Sequence, residues 1–199
     1  GIHGTNGDEG DNDNGEEDSA MVSETNSWKH DPNPQNGVIY FLWRLDQKAH
    51  ESNRENVIFN GLDDIWEEVT ALSANFINLH LSPFLDMNYA YMVIRNSIHH
   101  VISDEERDEF MEGLYDKASL DSRTGQLYKN VLVPIVEAIF CYLNRDFKRA
   151  YRIMQPICGQ ERTEQLIGTP QFRHNSIGGS LIQRGVLDIL WDILQHDVH

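Results

Sequence analysis

Residues 137–150 read Glu137-Ala138-Ile139-Phe140-Cys141-Tyr142-Leu143-Asn144-Arg145-Asp146-Phe147-Lys148-Arg149-Ala150. An apolar run of helical character meets an Asn-Arg-Asp turn, and a second run opens on the aromatic Phe147. The pattern predicts two antiparallel helices joined by a tight connection. Ala138 and Ala150 place small side chains on the two runs, and helices cross closely only where side chains are small. A helical hairpin is the expected unit of this chain.

Outward from that hairpin the periodicity stays helical. Toward the N-terminus, a helix over about 122–143 must kink or restart at Pro134, which lacks an N–H and crowds the preceding turn. Ser103-Asp104-Glu105-Glu106 fits a capping box for a helix carrying Phe110, Met111, Leu114 and Tyr115. Ser82-Pro83 supplies a cap and a first-position proline for one that turns Phe84, Met87, Tyr91 and Val93 or Ile94 inward. Asn60-Gly61 precedes a stripe of Leu62, Ile65, Trp66, Val69 and Leu72, with Asp63 and Asp64 expected in its first turn. The first helix is expected from Gly37 to about Lys48, after the Pro32/Pro34/Gly37 cluster. Toward the C-terminus, Asp146 caps a helix through Ala150, Ile153 and Met154 that should end near Pro156, and Ser180 opens a last, strongly apolar one. No convincing alternating strand occurs. The chain reads as all-α.

Composition divides it in two. The 199 residues carry 32 Asp and Glu against 16 Lys and Arg, a net charge of −16. Residues 1–36 hold nine of those acids and one base, and the first 18 residues hold a single large apolar side chain, Ile2. Such a stretch cannot bury enough surface to offset the entropy of ordering, so 1–36 is expected to be a disordered acidic tail or insert, and 37–199 the helical domain. Asp11-Asn12-Asp13-Asn14-Gly15 resembles the start of a calcium loop. With Gly15 at the sixth position, however, Gly10 and Met21 fall where the two essential carboxylates belong. The acid excess argues against nucleic acid as a partner, because phosphate contacts need clustered Lys and Arg. The longest apolar stretch, 131–143, is too short to cross a membrane. Two cysteines and no signal-like N-terminus point to a reducing compartment, and a cytoplasmic location is expected.

Ala138, Phe147 and Ala150 stand at the spacing of a tetratricopeptide repeat, although Cys141 replaces the usual aromatic and Pro134 the usual Trp or Leu. The order of local motifs carries more. Phe41-Leu42-Trp43-Arg44-Leu45 is followed by Phe84-Leu85-Asp86-Met87-Asn88, then by the hairpin ending at Pro156-Ile157, and last by Ile177-Gly178-Gly179-Ser180-Leu181-Ile182-Gln183-Arg184. Over about residues 38–196 this succession resembles the C-terminal half of the tetratricopeptide repeat protein 38 family, helical-repeat proteins without a well-defined biochemical activity. The resemblance implies a right-handed array of αα-hairpins, and it singles out Arg44, Asp86, Gly178, Gly179, Ser180, Gln183 and Arg184 as motif or binding positions. It also implies that the family's N-terminal repeats are missing here. The chain is then a fragment or a shortened relative.

Few residues offer chemistry. Gly178-Gly179-Ser180 at a helix start can cradle an anion with Arg184 nearby, but it lacks the phosphate-loop signatures and a preceding strand, so a tight turn plus cap is the better account. Asp86 is an expected partner for Arg184. His99 and His100 are adjacent, hence about 100° apart on a helix, and no spaced His or Cys motif for zinc occurs. Cys141 reads as a small core residue. Trp43, Trp66 and Trp191 fall on apolar stripes, while Trp28 lies in the tail.

With no nucleophile, base or metal site in view, the expected function is a non-enzymatic, cofactor-free scaffold. It would take a protein or peptide partner, of basic character to complement the acid excess. The alternative is an enzyme or binder of small molecules or anions at the Gly178–Arg184 helix start. Phe41, Leu42 and Trp43 in succession are hard to bury without the absent repeats, which predicts self-association through the first helix.

Overall fold

The computed structural model describes residues 31–52, 55–158, 177–179 and 181–198, with the side chains at 55–61, 181–184 and 198 outside that set. Among the described residues every regular element is helical. In chain order they are α1 (Pro32–Glu51), α2 (Glu55–Ser73), a 3-10 turn (Ile77–Leu79), α3 (Pro83–Ile98), α4 (Asp104–Ser119), α5 (Arg123–Leu127), a π turn (Tyr128–Leu132), α6 (Val133–Leu143), α7 (Phe147–Cys158) and α8 (Leu181–Val198).

Local chemistry explains most of these boundaries. Ser82 accepts a hydrogen bond from the Leu85 amide at 3.3 Å, opening α3 with Pro83 in its first turn. At α4 the capping box is complete: the Ser103 hydroxyl accepts from the Glu106 amide and the Glu106 carboxylate accepts from the Ser103 amide, at 3.1 and 2.9 Å. Donation from the Ser103 amide and hydroxyl to the Glu106 carboxylate holds that carboxyl below its ordinary pKa. Ser122 caps α5 through the Gly125 amide.

The break at Pro134 takes a specific form. Over Tyr128–Leu132 the helix widens to a π turn, in which the Val133 amide bonds back five residues to the Tyr128 carbonyl. The wider turn lets the ring of Pro134 follow at the start of α6 without meeting the carbonyl one α-turn behind it.

The hairpin stands as read. Arg145 adopts a left-handed φ of 64°. The Asp146 amide bonds the Cys141 carbonyl at 2.8 Å and the Arg145 amide bonds that of Tyr142 at 3.0 Å, a Schellman stop for α6. Asp146 then accepts from the Arg149 amide at 3.2 Å and starts α7. Ala138 and Ala150 are both fully buried, and α6 packs along α7. Phe147 lies partly buried against His50 of α1. The same stop ends α3, where His100 has a φ of 60° and the Val101 amide reaches the Asn96 carbonyl.

Four expectations are corrected. The first helix begins at Pro32, five residues before Gly37, because Asp31 accepts from the Asn33 amide at 2.9 Å and proline is tolerated in a first turn. The boundary at 36/37 therefore falls inside a helix, and Gln35 and Asn36 are buried. α2 likewise starts at Glu55, so Gly61 lies within it and Asp63 in its middle instead of its first turn. α7 continues through Pro156 to Cys158. Leu42 and Trp43 are buried against neighbouring helices of this same chain, leaving only Phe41 of that triplet exposed, at 58%. The expected tail over residues 1–30, with the calcium-loop-like segment and Trp28, lies outside the described residues.

α3 is the axis of the fold. The sequence predicts one inward stripe, yet residues 85–97 are buried on every side. α1, α2, α4, α6 and the π turn all pack against it. α8 packs on α7 and returns to α1. The Gln47 side-chain amide donates to the Val186 carbonyl at 2.7 Å, and His50 lies 2.9 Å from Asp197. First and last helices thus touch, whereas in a linear array each repeat meets only its neighbours.

Candidate functional site

A helix buried all round must satisfy whatever polar groups it carries. α3 carries five such side chains, Asp86, Asn88, Arg95, Asn96 and Ser97, and each anchors another part of the fold or its own backbone. Arg95, 1% exposed, donates from Nε to Asp46 Oδ2 of α1 at 3.2 Å and from Nη2 to Asp63 Oδ1 of α2 at 2.9 Å. Its guanidinium lies 4.9 Å from the Trp66 ring centroid, a cation–π contact. Tyr91 donates to the same Asp46 oxygen at 2.9 Å while stacking on Trp43 with centroids 4.4 Å apart. Asn96 donates to the Thr70 hydroxyl of α2 at 2.6 Å. Three aromatics and three charges thereby lock α1 and α2 onto the C-terminal half of α3.

Burial sets the electrostatics. It lifts the Asp46 carboxyl to about 6, against the opposing pull of Arg95 and the Tyr91 hydrogen bond. Burial first, and Asp46 second, push the Tyr91 phenol well above its usual range. His99 is held low by burial and by Arg95.

The N-terminal half of α3 repeats the plan. Tyr128 of the π turn donates to Asp86 Oδ2 at 2.5 Å, and His80 Nδ1 lies 3.4 Å from the same oxygen, the His80 ring tilted against Phe110. Asn88 donates to Asn36 Oδ1 of α1 at 2.6 Å. His80 Nε2 sits directly over Gly113 of α4, where a Cβ would come within 2.1 Å of it.

The residues singled out from sequence are not gathered at one place. Arg44 bonds Gln47 at 3.3 Å on its own helix. Asp86 is engaged by Tyr128 and His80; the Arg184 and Gln183 side chains, and Ser180, lie outside the described residues, as does the proposed Asp86–Arg184 pair. Gly178 and Gly179 both adopt left-handed φ, at 97° and 76°. They pack on the start of α3, where a Cβ on Gly179 would lie 2.7 Å from the Phe84 ring, so two of the sequence motifs meet there. Sequence reasoning missed the Asp46–Arg95–Asp63 centre. Its signal is a charge one turn beyond an aromatic on an apolar helix: Asp46 after Trp43, Arg95 after Tyr91.

These buried groups hold the fold; two open clefts among the described residues lie elsewhere. One, of about 630 Å³, is bounded by the C-terminal ends of α1 and α8 and by the α6–α7 turn. Glu51, Asp192 and Asp197 face it against one Arg145, with His50 and His196 beside them. A second, of about 390 Å³, runs between α4 and the α6/α7 hairpin. Among the described residues no three His, Cys, Asp or Glu side chains converge as a metal site, and no helix is long and apolar enough to cross a membrane.

No family model, curated protein or solved structure matches the chain.

Proposed function

We propose that the protein is a non-enzymatic helical scaffold that holds a basic segment of a partner protein in the cleft between the ends of α1 and α8. The observation that carries this reading is the charge of that cleft. Two helix C-termini, each the negative end of a peptide dipole, converge on it together with three carboxylates. A Lys or Arg side chain entering there meets three carboxylates against Arg145; Glu51 is shared with Lys48 and Asp197 with His50, while the chain as a whole carries a net charge of −16. The α6/α7 hairpin, with its paired alanines, supports a tetratricopeptide-like ancestry. The relationship to the tetratricopeptide repeat protein 38 family rests on the order of the motifs at 41–45, 84–88, the hairpin and 177–184. The fold is then a repeat array closed on itself. A cytoplasmic location and a cofactor-free mode of action belong to the same reading.

Fluorescence anisotropy with a labelled Lys/Arg-rich peptide, against one with the basic residues replaced by Gln, tests it. Micromolar binding is expected that weakens as salt rises and drops about tenfold in the Glu51→Gln/Asp192→Asn double variant. Equal binding of both peptides, or affinity indifferent to the double variant, sinks the reading.

A further inference from the structure

The second cleft has a different character from the first, and the inference drawn from it does not depend on the proposal above. Its wall is apolar: Met111 and Tyr115 from α4 face Phe140 and Cys141 from α6. Tyr115 and Phe140 leave nearly half of their surfaces open to solvent, at 47% and 43%. Two large aromatic residues left open along one cleft are an unfilled apolar surface of the kind that ligands occupy.

Four charged side chains border the wall, and they are not equivalent. Arg107 is already neutralised, reaching Asp104 at 2.6 Å and Asp108 at 2.8 Å on its own helix. That pairing also occupies Asp108. Glu137 and Arg149 remain; among the described residues neither side chain is engaged in an ion pair or hydrogen bond. Both lie beside Cys141, whose thiol is raised by burial first, pulled back by Arg149, and pushed up by Asp146 and then Glu137. The Tyr115 phenol, on the same cleft, is raised by burial and then by the charge of Glu137. The cleft therefore offers one uncommitted cation, one uncommitted anion and an apolar wall.

We propose that the α4/α6/α7 cleft binds a free amino acid with an apolar side chain. Its carboxylate would pair with the Arg149 guanidinium, its ammonium with the Glu137 carboxylate, and its side chain would lie against Met111, Tyr115 and Phe140. A zwitterion satisfies both free charges without adding net charge to the chain. An Arg–carboxylate pair is the stronger of the two contacts because the planar fork matches the two oxygens. The volume of about 390 Å³ lies within the range of small-molecule sites.

The test uses the full chain with L-phenylalanine and L-leucine as probes, followed by isothermal titration and by NMR shifts of the Met111 methyl. Three analogues of phenylalanine form the control arms: 3-phenylpropionate without the ammonium, phenethylamine without the carboxylate, and N-acetylphenylalaninamide with neither charge. Expected are saturable binding of at least one amino acid, and a loss of about tenfold or more with each analogue and with Arg149→Ala or Glu137→Gln. Among the described residues the Arg149 and Glu137 side chains make no ion pair or hydrogen bond, so both variants should fold, and an unchanged circular dichroism melt verifies it. No saturation at ligand concentrations on the order of 10 mM overturns the proposal. So does equal binding of the capped analogue, which would make the cleft a docking groove for peptide side chains, or affinity indifferent to both variants. Failure here leaves the basic-peptide scaffold standing, since the two clefts share no lining residue.

Discussion

Replacing Asp46 by asparagine should change how stability depends on pH, in a direction opposite to that of most carboxylates. Asp46 sits 2% exposed between α1 and α3, with Arg95 and Tyr91 on one oxygen and no partner on the other. Its carboxyl is at about 6 in the fold and near 3.8 in an ordinary setting. Between those values the native state holds a proton that the unfolded chain has released. Stability contributed by this group is therefore complete below about pH 4 and is lost as pH rises through about 6. The gap corresponds to about 3 kcal/mol, a large share of the stability of a domain of this size. In Asp46→Asn the group no longer titrates. Urea unfolding of both proteins from about pH 4 to about pH 7 should show the variant gaining on the wild type by up to about 3 kcal/mol as pH rises. The lowered His99 is common to both proteins and cancels to first order. A flat difference, or a variant that loses ground as pH rises, would refute the reasoning. It would mean that the attraction of Arg95 outweighs the desolvation of the carboxylate.

Three further outcomes follow from packing. Arg95→Met leaves Asp46 buried without its countercharge, and a loss of about 3–5 kcal/mol is expected in chemical unfolding at neutral pH. The pair Arg95→Met with Asp46→Leu should recover most of it, because removing both charges removes the desolvation cost as well. Gly113→Ala drives a Cβ to 2.1 Å from His80 Nε2 and should lower stability by about 1–3 kcal/mol, with partial relief in the double variant with His80→Ala. If the single variant melts with the wild type, His80 is free to move and does not fill that site. Gly179→Ala combines a left-handed φ of 76° with a contact of 2.7 Å on Phe84, and about 1–3 kcal/mol should be lost. Hydrogen exchange should quicken first at the amides that open α3.

Much of this architecture is legible because its causes are local. Ser82, Ser103, Ser122 and Asp146 each declare a helix start through a hydrogen bond that reaches only three residues, so the sequence alone determines them. The alanines of the α6/α7 hairpin and the disruption at Pro134 are fixed in the same way. The errors came where a local breaker was outweighed: Pro32 and Pro34 stand where a first turn accepts them, and Gly61 costs α2 less than the burial of Trp66 and Val69 returns. What sequence cannot supply is which polar side chain meets which, because partners such as Asp46 and Arg95 or Asp86 and Tyr128 are more than forty residues apart. The same holds for the clefts. Arg149 and Glu137 look like ordinary surface charges until α4 is laid against the hairpin. Glu51 and Asp192 become neighbours only because α8 returns to α1. Local hydrogen bonding and periodicity determined the helices, and the long-range burial of a polar axis, α3, decided how they assemble and where charge is left facing a cleft.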